Sequence, residues 1–216
     1  VKINDALNLD IPLYDDNDTI YAHVYSQPIS TAAFEANYLL LVRTFETMMS
    51  EGRSALRMAN LFLKDAAKEI ARSRNAKDDG IISVYIPLVN EITRLSMAVV
   101  ATPQGWDTIP LQQAIDHGKI TPDDGREALS AAIFFTAASH VPPRQSRVML
   151  IDLALPLWGA STSSLPLMEW TASLPTSTVT GTTGGTEQSA PQPAPQAMTQ
   201  PLSPPPGTNS VSLLVS

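Results

Sequence analysis

The sequence predicts a mainly α fold: a compact multi-helix domain over residues 1–175 with an N-terminal β-hairpin, then a disordered Pro/Thr/Ser-rich C-terminal tail over 176–216. Three observations lead there. From Phe34 onward, apolar residues recur at the spacing of one helix face, giving helices over about 31–172. Ahead of them, two β-prone runs flank a turn-forming acidic cluster, which places the hairpin at about 9–25. After Pro175 the composition changes abruptly.

The hairpin comes first. Leu9–Leu13 and Thr19–Tyr25 bracket Asp15-Asp16-Asn17-Asp18, and the second run alternates Ile20, Ala22, Val24 against Tyr21, His23, Tyr25. The acidic turn lacks the glycine and distal glutamate of a 12-residue calcium loop, so it reads as a solvated turn. Ser30 or Thr31 then caps a helix whose core stripe is Phe34, Tyr38, Leu41, Val42, Phe45, Met48 and Met49, and Gly52 stops it. A second helix, about Ser54–Arg74, sets Leu56, Ala59, Leu63, Ala66, Ala67 and Ile70 on one side. Arg53, Arg57, Lys64, Lys68 and Arg72 gather on another.

Asp79-Gly80 opens an apolar segment, Ile81–Val100, that Pro87 should kink or divide. Its pattern continues through Ile92, Leu95, Met97 and Val99, and Thr102–Trp106 reads as a loop. Pro110 starts a short helix to about His117. Thr121-Pro122-Asp123-Asp124 is a helix start with a capping hydroxyl, proline in the first turn and acids at the positive end of the dipole. That helix carries Leu129, Ala132, Ile133, Phe135 and Ala138 and ends near His140 and Pro142-Pro143. Arg147–Leu157 forms another, and Ser161–Ser164 cap a last one through Glu169 and Trp170.

Of the 41 residues from Thr176 to Ser216, 14 are Ser or Thr, 7 Pro and 4 Gly, with Glu187 the one charge. Such a segment buries too little apolar surface to offset the entropy of ordering it. The Ala-Pro-Gln-Pro-Ala-Pro stretch reads as a semi-rigid spacer, and the closing Ser-Val-Ser-Leu-Leu-Val-Ser as a terminus without a partner. No apolar run is long enough for a signal peptide or a spanning helix; Ala128–Pro143 is interrupted and falls short of the ~20 residues needed. The cytosol is therefore expected and a membrane is not.

Net charge is −7, which argues against nucleic acid, because phosphate neutralisation needs excess Lys and Arg. Zero cysteines exclude disulfides, thiolate metal sites and a cysteine nucleophile. His23, His117 and His140 fall on a strand, a helix end and a loop, at no metal-ligand spacing. Gly159-Ala-Ser-Thr-Ser163 lacks the second glycine and the preceding strand of a nucleophile elbow. Asp123-Asp124 are explained by capping, and no phosphate-binding glycine loop is present. The chain reads as a non-enzyme without cofactor, metal or catalytic residue.

Several stretches resemble the tail assembly chaperones of long-tailed bacteriophages. Asp10-Ile-Pro-Leu13, Tyr21-Ala-His-Val24, Pro28-Ile-Ser and Phe34-Glu-Ala-Asn-Tyr-Leu-Leu40 resemble the front of that family, and Thr102-Pro-Gln-Gly-Trp106 with Ile109-Pro-Leu111 its middle. Leu157-Trp-Gly159, Thr162-Ser-Ser164, Glu169 and Ala172-Ser-Leu-Pro-Thr-Ser177 resemble its end; Leu165-Pro-Leu167 departs from it. The resemblance spans most of residues 9–177. It implies a non-enzymatic protein of the host cytoplasm, absent from the mature virion, that binds the tape measure protein and helps recruit tail tube subunits, with self-association also open. It further implies a gene read in two lengths by programmed frameshift, this sequence fitting the short form. A compact domain would grip while an arm tethers a second activity.

Recognising helices without demanding one sequence calls for an adaptable apolar surface. The candidates are Met48, Met49, Trp158, Leu165, Met168 and Trp170, with Arg53, Arg57, Lys64 and Lys68 as steering charges. Seven of the 14 basic residues lie between Arg53 and Lys77. The alternative reading is a structural virion component, a head–tail joining or minor tail protein whose arm orders on assembly. A third is a small regulatory adaptor with a proline-rich recruiting arm.

Overall fold

A computed structural model describes residues 7–73 and 79–175. The front hairpin is present: Asn8–Tyr14 (β1) and Ile20–Ser26 (β2) pair antiparallel, with Leu9 opposite Ser26 and Leu13 opposite Ala22. Asp15 organises the turn, its Oδ1 accepting the backbone N–H groups of Thr19 and Asn17, both at 2.9 Å. Those bonds hold its carboxyl below the ordinary value. The carboxylate thus serves the turn itself.

A second hairpin lies beside the first. Ser96–Thr102 (β3) and Gly105–Pro110 (β4) are joined through Pro103-Gln104, and Ser161–Ser163 (β5) adds a short edge. Together the strands form one antiparallel sheet in the order β4-β3-β2-β1-β5. With eight α-helices among the described residues, the fold is α+β. This corrects the expectation of a mainly α domain with a single N-terminal hairpin.

The reason lies in how strands hide. Ala98 and Val100 are buried on one face of β3 and Val99 on the other, so the segment has no polar alternation. The apolar pattern of the preceding helix runs into it without a break. That helix, Asp79–Arg94 (α4), passes undivided through Pro87 and ends before Met97 and Val99, which belong to the strand. Trp106 likewise sits in β4 rather than a loop, and Ser161–Ser163 pair with β1 rather than cap a helix.

The remaining helices are Thr31–Ala36 (α1), Tyr38–Glu51 (α2), Ala59–Ser73 (α3), Leu111–Asp116 (α5), Pro122–His140 (α6), Arg144–Ala154 (α7) and Leu167–Ser173 (α8). Ser30 caps α1, accepting from the N–H of Ala33, and Asn37 interrupts the single helix expected over 31–49. Gly52, at φ 86° and ψ −179°, ends α2 in a conformation open to glycine alone. Arg53–Met58 are 3-10, so Arg53 and Arg57 do not continue the 100° winding of α3. Thr121 caps α6 as its sequence predicts, its hydroxyl accepting from the N–H of Asp124.

The core occupies one face of the sheet. Leu9, Ile11 and Leu13 of β1, Ala22 and Val24 of β2, and Ala98 and Val100 of β3 meet Leu41, Met48, Leu63, Ile70 and Ile92 from the helices. In the middle stands α6, buried almost without interruption from Ser130 to Ala138. Small residues on several of its sides let α2, α3 and α7 approach together. The expected single core stripe on this helix is therefore too narrow: Ala131, Phe134 and Ala137 are buried as well. No helix among the described residues is long and apolar enough to cross a membrane. The expected disordered tail, 176–216, lies outside the described residues, as do Arg74 and Lys77 of the basic segment.

Candidate functional site

The ten residues singled out for partner binding do not form one surface. Met48 is fully buried in the helical core, and Trp158 is buried there with its ring centroid 5.8 Å from that of Phe134. Trp170 is buried too, on the opposite face of the sheet. None of these three is presented to a partner. Met49, Arg53, Lys64, Leu165 and Met168 are exposed. Lys68 is half-buried and pairs with Asp65 at 2.6 Å.

Arg57 has a task inside the chain. Its Nε and Nη2 donate to the carbonyl of Leu157 at 3.1 and 2.5 Å, and Nη2 lies 3.4 Å from Glu127. Arg57 and Trp158, chosen for different reasons, thereby line the same cleft of about 380 Å³ with Tyr14, Asp124 and Glu127. The turn that closes it needs Gly159 at φ 59°, where an added Cβ would stand 3.5 Å from the Tyr14 hydroxyl. Tyr21 donates to Asp124 at 2.6 Å, and burial first, then that carboxylate, push its phenol well above the usual range. The indole N–H of Trp158 is buried without an acceptor among the described residues.

On the second face of the sheet, β-strand alternation sets Asp10, His23, Tyr25 and Val99 opposite the main core. The helix α8 covers them with Trp170. His23 meets two indoles edge-on, Trp106 at 5.4 Å and Trp170 at 5.3 Å between centroids, and Tyr25 packs on Trp170 at 4.7 Å. The segment is fastened at both ends. Tyr25 Oη and Asn8 Nδ2 donate to the carbonyl of Leu165, at 2.5 and 3.1 Å, and Trp106 Nε1 donates to that of Pro175 at 2.7 Å.

This face brings a serine, an aspartate and a histidine together. Ser161 Oγ lies 3.3 Å from Asp10 Oδ2, and Asp10 Oδ1 lies 2.9 Å from His23 Nδ1. The carboxylate stands in the middle. A serine is activated by donating to an imidazole nitrogen that the acid orients from behind, and here the hydroxyl donates to the acid. The arrangement satisfies buried polar groups under α8. Among the described residues, no group of three His, Asp or Glu side chains is arranged to hold a metal ion.

Sequence reasoning missed Asp10, His23 and Trp106 as a set with Trp170. The alternation of Tyr21, His23 and Tyr25 was a usable signal, since it gave β2 a second face too apolar for solvent. Comparison of the chain with protein-family models, curated proteins and solved structures finds no match.

Proposed function

We propose that the chain is a non-enzymatic tail assembly chaperone that binds the helical tape measure protein of a long-tailed bacteriophage and helps recruit its tail tube subunits. The observation that carries this reading is the exposure of methionine. Of six described methionines, four are exposed: Met49 at 38%, Met58 at 47%, Met149 at 65% and Met168 at 79%. An unbranched, polarisable thioether adapts to many partner surfaces, which suits a protein that must cover a long helix of varied sequence. Val148 and Leu153 extend the apolar surface around Met149 on α7. Exposed Arg53 and Lys64 supply local positive charge in an acidic chain.

Co-expression with the tape measure protein of the same phage tests the reading. The tape measure should become soluble and co-purify with this chain. Replacing Met49, Met58, Met149 and Met168 together by Gln should abolish that while leaving the fold intact, because exposed positions usually move stability by only about 0.5 kcal/mol. Equal solubility with wild type and variant would overturn it.

A further inference from the structure

A second cleft, of about 560 Å³, opens between the β2–α1 turn and the α6–α7 turn. Its apolar side includes Leu7, Ile29 and Ile151, and its polar side carries His140, Arg144 and Arg147. Among the described residues, no Asp or Glu lines it. In a chain of net charge −7, a concave site whose described lining holds two guanidinium groups and no carboxylate is the opposite of the average surface.

Arg147 and His140 are both held by backbone carbonyls. Arg147 donates from Nε to the carbonyl of Pro142 at 3.0 Å and from Nη2 to that of His140 at 3.2 Å. Both acceptors are neutral, so the position is set while the charge is left in place. Two of its five N–H donors are spent and three remain. His140 lies 2.9 Å from the carbonyl of Thr136 through Nδ1, which must carry the proton because a carbonyl only accepts. Its ring stacks on Phe34 at 4.9 Å. Side chains held before a ligand arrives lose little entropy on binding.

We propose that this cleft binds a small apolar monocarboxylate, its oxyanion on the open end of the Arg147 fork and its hydrocarbon body against Leu7, Ile29 and Ile151. The volume falls within the range of small-molecule sites and far exceeds a bare anion. The half-spent guanidinium presents one end, which matches the two oxygens of a carboxylate. This assignment stands apart from the chaperone reading.

Calorimetric titration of the full chain with octanoate is the test, with 1-octanol, acetate and octyl phosphate as comparison probes. Octanoate should bind saturably at one site, at least about tenfold more tightly than octanol or acetate. Arg147→Met should weaken octanoate by about tenfold or more and leave octanol unchanged. Because Arg147 also holds two backbone carbonyls, Val148→Glu provides an independent check: it sets a carboxylate on an exposed lining position and should weaken octanoate similarly in a folded protein. Absence of saturable octanoate binding, equal affinity for octanol, or indifference to both substitutions would overturn the proposal. Tighter binding of octyl phosphate than of octanoate would overturn the choice of carboxylate.

Discussion

The Nδ1 atom of His23 lies 2.9 Å from Oδ1 of Asp10, and both side chains are buried on the sheet face that α8 covers. Asp10 also accepts from Ser161 on β5, so one carboxylate joins β2 and β5 across β1. Removing it leaves two polar groups without their partner.

Asp10→Ala should therefore cost about 1–3 kcal/mol, whereas Asp10→Asn, which keeps an acceptor for the imidazole, should cost clearly less. Urea unfolding of the two variants measures the difference. Equal losses would mean that the network contributes nothing beyond side-chain volume.

The cover itself hangs on one side chain. Trp170 is the single buried residue of α8, so Trp170→Ala should release the segment rather than unfold the chain. A buried Trp→Ala change costs about 3–5 kcal/mol where the whole domain responds. Here hydrogen exchange should rise in residues 165–175 while α6 stays protected. Uniform loss of protection would show that α8 is integral to the main core.

Between α5 and α6 the packing is close enough to couple two positions. A Cβ added at Gly125 would meet Ile115 Cδ1 at 2.6 Å. Alanine gains about 1 kcal/mol of helix propensity over glycine, and crowding opposes it by a similar amount. Ile115→Val deletes the crowding atom. It should destabilise the wild type by about 0.5–1.5 kcal/mol yet cost less, or help, in the Gly125→Ala background. Additive effects in the double-mutant cycle would refute the contact.

Three phenols give the fold an alkaline limit. Burial, the leading cause in each case, raises Tyr21, Tyr25 and Tyr85 above their ordinary value. A raised folded value stabilises the native state fully below the unfolded value of about 10, and that contribution is lost as pH climbs through the folded value. Urea midpoints should hold up to about pH 10 and then fall, less steeply in Tyr21→Phe. A flat profile to pH 11 or beyond in wild type would contradict this.

Much of the helical layer was legible because its signals are local. Ser30, Gly52 and Thr121-Pro122 act within a few residues of themselves, and each marks a helix end as its chemistry requires. The sheet was half legible. β1 and β2 alternate and share a short turn, whereas β3 is apolar on both faces and finds its partner β2 across α1–α4. β5 is three residues long and pairs with Asn8–Asp10 of β1, more than one hundred and fifty residues away. The exposure of the candidate partner residues was the least legible, for a physical reason. Met48 and Met49 are neighbours of the same type, yet helix winding buries the first and exposes the second. Arg57 reads as a surface charge until the carbonyl of Leu157, one hundred residues away, is brought to it.

The chaperone we propose acts during assembly and then leaves. Quantitative mass spectrometry of the chain in infected-cell lysate and in purified particles tests it most directly. Abundance in the lysate and virtual absence from the particles are expected. A fixed, many-copy stoichiometry in the particles would contradict it and make the chain a structural component of the virion.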